Sequence, residues 1–144
     1  MNLTGHFTLE EMTQSQSAAR LGLDNTPSPA AIDHLRKTAA LLEQVRALWG
    51  KPIIVTSGYR APQVNKAVGG STYSQHMIGQ AADFIIPGVG SPLEICKAIN
   101  VASPAIPYDQ LIHEFRAWVH ISWSMAPRRM ALTIDANGTR GGFT

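Results

Sequence analysis

Apolar side chains recur at a helical period over residues 28–50, and this stretch predicts the longest helix of the chain. Ser28 suits the N-cap, Pro29 suits the first helical position, and Gly50 is a natural stop after the last turn. The apolar residues are spaced so that they share one face of the helix: Ile32, Leu35, Leu42, Val45 and Trp49. We therefore expect that face to be buried.

Two shorter helices are predicted further along the chain. A helix is predicted over residues 91–102. Ser91 suits its N-cap, Pro92 suits its first helical position, and Glu94 completes a capping box with Ser91. The segment RAPQVNKAV, residues 60–68, predicts a short helix that precedes a polar, glycine-containing loop.

Short runs of β-branched and aromatic residues predict strands in the rest of the chain. PIIVT, bounded by Gly50 and Gly58, predicts a buried strand, and two runs on either side of Arg116 predict a hairpin. The five predicted strands cover residues 52–56, 81–86, 108–115, 117–124 and 128–134. Because the helices come first and most strands later, we expect an α+β fold in which a small antiparallel sheet packs against helices.

The composition is that of a globular protein: 144 residues, 44% of them hydrophobic and 15% charged. We expect one domain over residues 1–144, with a core at about 4–135 and a glycine-rich tail, residues 137–144, that frays. The net charge of +2 gives no argument for nucleic-acid binding. No apolar run approaches the ~18 residues of a membrane span. The N-terminus lacks the pattern of a signal peptide, which predicts synthesis in the cytoplasm, and a monomer is expected.

His76 and Asp83 lie seven positions apart in SQHMIGQAAD and predict a zinc site. Cys96 is the one cysteine, so a metal would have to be held by histidine and carboxylate. The spacing does not put both residues on one helical face; it suits a histidine in a loop and an aspartate on the following strand. His120 offers a third ligand on WVHIS, where Trp118 and Ser122 share its face.

SQHMIGQAAD fits the pattern S-x-H-x-x-G-x-A-x-D, with SGYR upstream and WVH downstream. With these motifs the chain resembles the zinc D-Ala-D-Ala carboxypeptidases (peptidase M15), and within them the compact phage-type branch, over residues 4–123. That family includes phage and bacterial peptidoglycan peptidases, dipeptidases of the vancomycin-resistance type, and endolysins. The resemblance implies a hedgehog/DD-peptidase-like fold.

The resemblance also implies roles for individual residues. His76, Asp83 and His120 would bind Zn²⁺. Arg60 of SGYR would bind the substrate and stabilise the oxyanion, because its planar cation suits developing negative charge. Ser74 would contact the substrate through its hydroxyl group.

The general base is where the chain departs from the family pattern. Several members carry an acidic residue three positions before the last histidine ligand, and this chain has Ala117 there. Glu114 is the preferred candidate because it alternates with Gln110 and Ile112 along the strand. His113 is the second candidate, although a regular strand would point it to the opposite face.

The function predicted from these residues is a zinc metallopeptidase that hydrolyses an amide bond in the peptide stem of peptidoglycan. It could be a carboxypeptidase or an endopeptidase, and the bond could be D-Ala-D-Ala, a D-alanyl cross-link or L-Ala-D-Glu. We expect an endolysin-like enzyme, encoded by a phage or prophage, that acts on the cell wall or in the periplasm. Ala117 keeps open a non-catalytic zinc-binding module, which Glu114 argues against, and a virion component that opens the wall is a third possibility.

Overall fold

Five α-helices, one 3₁₀-helix and six strands make up the protein in a computed structural model that describes residues 1–144. The α-helices are α1 (Leu9–Thr13), α2 (Gln16–Leu21), α3 (Pro29–Ala47), α4 (Pro62–Ala67) and α5 (Pro92–Ala102), and the 3₁₀-helix is Gln75–Ile78. The strands are β1 (Ile54–Ser57), β2 (Ala81–Ile85), β3 (Gln110–Glu114), β4 (Trp118–Ser122), β5 (Met130–Asp135) and β6 (Gly138–Gly141). The predicted α+β class is confirmed.

The predicted helix caps are confirmed. The Ser28 side chain accepts a hydrogen bond from the backbone N–H of Ala31, and Ser91 and Glu94 form a capping box at the start of α5. The short helices α1 and α2 were missed by the sequence analysis. Their signals are local, because Thr8 caps α1 in a capping box and Ser15 caps α2.

The strands form one sheet in the order β1-β2-β4-β3-β5-β6. Every neighbouring pair is antiparallel except β3 and β5, which run parallel. In the register of the three central strands, Asp83 lies opposite His120 and His120 lies opposite Ile112. One row across the sheet therefore carries two of the predicted metal ligands.

The two faces of the sheet differ in what covers them. On one face, alternate residues of the central strands are fully buried and join the apolar side chains of α3 and α5 in a single core. The sheet residues of that core are Ala82, Phe84, Leu111, Val119 and Ile121. The other face carries Asp83 and His120 and lines an open cleft.

Two sequence expectations are wrong. The segment predicted as a buried strand forms the edge strand β1, in which Ile54 is 48% exposed, because it pairs only with β2. Within the tail that was expected to fray, β6 pairs with β5, and Arg140 forms an ion pair with Asp135. Thr133 adds a hydrogen bond from its hydroxyl group to the carbonyl oxygen of Gly142. None of the helices has the length and hydropathy that crossing a bilayer would require.

Candidate active site

Three separate segments bring His76, Asp83 and His120 together. His76 comes from the 3₁₀-helix, Asp83 from β2 and His120 from β4. One potential ligand atom from each lies within 4.8 Å of the others, so the group could hold a metal ion. All three are buried, with exposed fractions of 2%, 8% and 6% in that order. We call these three residues the triad.

The ring of His76 is oriented by a backbone carbonyl. Its Nδ1 lies 2.7 Å from the carbonyl oxygen of Gly58, which can only accept, so Nδ1 carries the hydrogen. Nε2 is thereby left with its lone pair free, and it lies 3.3 Å from Oδ1 of Asp83. Such a carbonyl partner is the usual support of a metal-binding histidine.

His120 approaches the same carboxylate oxygen from the neighbouring strand. Its Nδ1 lies 2.9 Å from Oδ1 of Asp83, and its Nε2 is buried without a hydrogen-bond partner. Burial would raise the pKa of Asp83, but the electrostatic effect of the His76 ring and the hydrogen bond from His120 outweigh burial, and the pKa lies well below its ordinary value.

The triad fits a divalent metal ion. Two imidazole nitrogens and a carboxylate oxygen are ligands that Zn²⁺ takes, and three protein ligands leave one position for water or substrate. The free lone pair of Nε2 on His76 lies 3.3 Å from Oδ1 of Asp83, the oxygen that His120 also approaches.

Arg60 lies beside the triad with its side chain unpaired. Its backbone N–H donates to the carbonyl oxygen of His76 at 3.0 Å, which ties the two segments together. Its guanidinium makes no hydrogen bond or ion pair with another residue, and its Nε is buried without a partner. Burial lowers the pKa of Arg60, and the negative charges of Asp83 and Glu114 oppose that shift. A cation held in this way is available to a ligand.

Glu114 places a second carboxylate beside the triad. Its Oε1 lies 3.9 Å from Nδ1 of His120, and its Oε2 accepts a hydrogen bond from Nε1 of Trp118 at 3.1 Å. Burial raises the pKa of Glu114, and the nearby charge of Asp83 raises it further. A carboxylate with these surroundings suits proton transfer.

The alternative positions for a base lie elsewhere. His113 is buried on the core-facing side of the sheet, where it pairs with Val119 in the register of β3 and β4. Ala117 is exposed in the β3–β4 turn and does not line the cleft. Of the acidic and basic side chains on β3, only Glu114 lines the cleft with the triad.

Ser74 lies at the start of the 3₁₀-helix and lines the cleft. Its Oγ accepts a hydrogen bond from the backbone N–H of His76 at 3.2 Å. This contact makes it an N-cap, and the hydroxyl hydrogen remains available for a further partner.

Asp109 and Gln75 support the site and were missed by the sequence analysis. Asp109 is fully buried; its carboxylate accepts from Nη2 of Arg128 at 2.6 Å and from Nε2 of Gln75 at 3.0 Å. Gln75 directly precedes His76, so this contact holds the 3₁₀-helix against the residue that precedes β3. The partners lie 34 positions apart in the chain, and no local pattern could have paired them.

A family model described as Peptidase M15 matches residues 5–122. The match includes the triad together with Arg60, Ser74 and Glu114. Comparison with curated proteins gives no match.

Proposed function

The chain belongs to the peptidase M15 family, and on that premise we propose that it is a zinc-dependent metallopeptidase that hydrolyses an amide bond in the peptide stem of peptidoglycan. The observation that carries the proposal is the convergence of the triad next to an unpaired cation, Arg60, and a carboxylate of raised pKa, Glu114. Each of these groups has a task in amide hydrolysis.

His76, Asp83 and His120 would hold the ion. When bound, Zn²⁺ supplies Lewis-acid polarisation of the scissile carbonyl and makes water a better nucleophile near neutral pH. The hydrogen bond from His76 to the carbonyl oxygen of Gly58 would keep the ring in place and its Nε2 unprotonated.

Glu114 would act as the general base and then as the general acid. In hydrolysis, the oxygen of water bonds to the carbonyl carbon, the C–N bond breaks, and the leaving amine gains a proton. Glu114 would take that proton from the attacking water and deliver it to the amine nitrogen. Its raised pKa favours the second transfer, while the hydrogen bond from Trp118 keeps the carboxylate oriented.

Arg60 and Ser74 would bind the substrate. As negative charge develops on the carbonyl oxygen, the guanidinium of Arg60 would donate hydrogen bonds to that oxygen, which stabilises the transition state. The buried and unpartnered Nε of Arg60 supports this role. The hydroxyl group of Ser74, which already accepts from His76, would donate its hydrogen to a substrate carbonyl.

The test is digestion of isolated peptidoglycan by the purified protein, with the soluble products identified by mass spectrometry. We expect fragments from cleavage within the peptide stem, no cleavage after treatment with a chelator, and recovery when Zn²⁺ is restored.

A folded, zinc-loaded protein that releases no product would contradict the proposal. It would favour instead a non-catalytic zinc-binding module of the same fold. Ala117, at a position that is acidic in several members, is the residue that favours this second candidate. In that case Ala117→Glu should be tested as well. If this variant cleaves peptidoglycan and the wild type does not, the wild type lacks a general base at position 117.

Metal removal should also lower thermal stability. An ion that binds only the folded state stabilises that state. At a free Zn²⁺ concentration of 100 Kd, we expect Zn²⁺ to raise the free energy of unfolding by about 2.7 kcal/mol. Calorimetry with and without Zn²⁺ measures the difference. His76→Ala is the control, and a melting temperature that responds equally to Zn²⁺ in that variant would place the ion elsewhere.

A further inference from the structure

Two grooves meet at the triad, and both continue beyond it. The first, here called the aromatic groove, encloses about 770 Å³ and includes Tyr73, Phe115 and Trp118. The second, here called the β1 groove, encloses about 560 Å³ and runs between β1 and residues 14–17. Arg60 and Asp83 line both grooves, so together they form one cleft with the triad at the junction.

The β1 groove lies along the free edge of the sheet. β1 pairs with β2 alone, and no backbone group of Ile54–Ser57 makes a hydrogen bond outside that ladder. All four residues of β1 line the groove in succession. Since side chains alternate between the faces of a strand, four consecutive residues can line one groove only at the strand's edge. Such an edge offers unpaired N–H and C=O groups to an extended peptide.

The opposite wall of the β1 groove is polar and uncharged. Gln14, Ser15, Gln16 and Ser17 line it, and Val68 adds one apolar side chain to the groove. The glutamine and serine side chains can hydrogen-bond to a peptide main chain, but they provide no cation for a terminal carboxylate. The chemistry of this groove therefore suits the interior of an extended peptide.

Neither groove offers an unpaired cation away from the triad. Arg60 is the one basic residue of the β1 groove, and it lies at the junction. In the aromatic groove the guanidinium of Arg128 is paired with Asp109, because its Nε and Nη2 both donate to that carboxylate. The cleft continues on both sides of the triad, so it can take a peptide with residues on both sides of the cleaved bond.

We infer that the substrate peptide extends on both sides of the scissile bond, that one arm adds as a strand to the edge of β1, and that the enzyme is an endopeptidase. This inference rests on the proposed function and specifies its substrate: a stem or cross-linked peptide with residues on both sides of the cleaved bond.

The first test is binding without turnover. Backbone amide NMR of the Glu114→Ala variant would be recorded during titration with a muropeptide dimer joined by a D-alanyl–diaminopimelyl cross-link. We expect chemical-shift changes at the N–H groups of residues 54–57, because the added strand would hydrogen-bond to that edge. The disaccharide without peptide is the control ligand and should leave these amides unchanged. Chemical-shift changes confined to residues of the aromatic groove would overturn the inference that the peptide binds to the edge of β1.

The second test is turnover of two matched substrates, the same muropeptide dimer and the uncross-linked disaccharide–pentapeptide ending in D-Ala-D-Ala. We expect cleavage at internal bonds and a fall of at least tenfold in kcat/KM for the dimer in Gln16→Trp, which fills the β1 groove. Leu21→Trp is the control, since Leu21 lies on the same helix, is 51% exposed and does not line the groove. Zinc content and circular dichroism of both variants verify that they fold.

The outcomes separate this inference from the function on which it depends. Release of terminal D-alanine alone would overturn the endopeptidase assignment while the zinc peptidase stands. Full activity of Gln16→Trp on the dimer would overturn the role of the β1 groove. Failure of the zinc-loaded protein to cleave either substrate would overturn both the inference and the proposed function.

Discussion

Glu114 and His113 are neighbours in the chain, yet only Glu114 lines the cleft. The reason is the pleat of β3, which points successive side chains to opposite faces of the sheet. His113 is buried on the core-facing side, whereas Glu114 lies 3.9 Å from His120. The strand period therefore predicted the correct face from sequence, while the distance to His120 depends on the pairing of β3 with β4.

Glu114→Gln should abolish most of the hydrolysis without affecting metal binding. Glutamine can still accept the hydrogen bond from Trp118 but cannot take a proton, so we expect kcat to fall by about 10²–10⁴. Peptidoglycan digestion measures the loss, and metal analysis should give the zinc content of the wild type. Glu10→Gln, an exposed carboxylate outside the cleft, is the control. Residual activity within tenfold of wild type would show that Glu114 is not the base.

The segment between β1 and α4 passes close to α1. The backbone N–H of Tyr59 donates to the carbonyl oxygen of Met12, and the carbonyl of Gly58 accepts from His76. A side chain at position 58 would place its Cβ 2.1 Å from the oxygen of Met12. The glycine of SGYR thus permits the contact of α1 with this segment, and that contact positions the carbonyl that orients His76.

Gly58→Ala should therefore weaken both folding and metal binding. Overpacking against backbone should cost about 1–3 kcal/mol in the free energy of unfolding, and displacement of the carbonyl should weaken Zn²⁺ binding about 10–100-fold. Urea unfolding and zinc competition with a chelating dye measure the two effects. Gly141→Ala, where an added Cβ meets nothing within 4 Å, should change neither. If Gly58→Ala is less stable but binds zinc with unchanged affinity, the glycine is needed for packing and not for the orientation of His76.

At the scale of the whole molecule, Asp109 connects the chain between β4 and β5 to the site. Its carboxylate bonds to Arg128 of that connection and to Gln75 beside His76, while its backbone N–H donates to Ser122. Asp109 is fully buried, so loss of its charge would leave several donors without an acceptor. The fold around the site consequently depends on this carboxylate remaining ionised.

This dependence predicts a loss of stability in acid. The hydrogen bonds from Arg128 lower the pKa of Asp109 despite its burial. A carboxylate whose pKa is lower in the folded state stabilises that state. Its contribution is fully present above the pKa of the unfolded state, 3.8, and disappears as the pH falls through the pKa of the folded state. We expect Asp109→Asn to be about 1–3 kcal/mol less stable than wild type at pH 7.

The difference in the free energy of unfolding between Asp109→Asn and wild type should become smaller as the pH falls below 3.8. Urea unfolding of both proteins at pH 7 and pH 3, with chelator present so that metal binding does not contribute, measures it. A difference that stays the same at both pH values would show that the charge of Asp109 does not stabilise the fold.

The sequence by itself determined the features that depend on near neighbours. Caps such as Ser28 and Ser91 are read from a few adjacent residues, and alternation along a strand separates cleft residues such as Glu114 and His120 from core residues such as Val119. The motif around His76 and Asp83 likewise predicted residues that the structure brings within 4.8 Å of one another. These signals are local, because capping and pleat act over one to four positions.

Only the tertiary structure decided which segments are neighbours. It placed β1 at the edge of the sheet, although its β-branched residues predicted a buried strand, and it paired β6 with β5 in a tail that was expected to fray. It also joined Asp109 to Gln75 and brought the carbonyl of Gly58 to His76. Apart from the β5–β6 hairpin, these contacts link residues that are distant in the chain, and their pairing depends on how the sheet and helices pack as a whole.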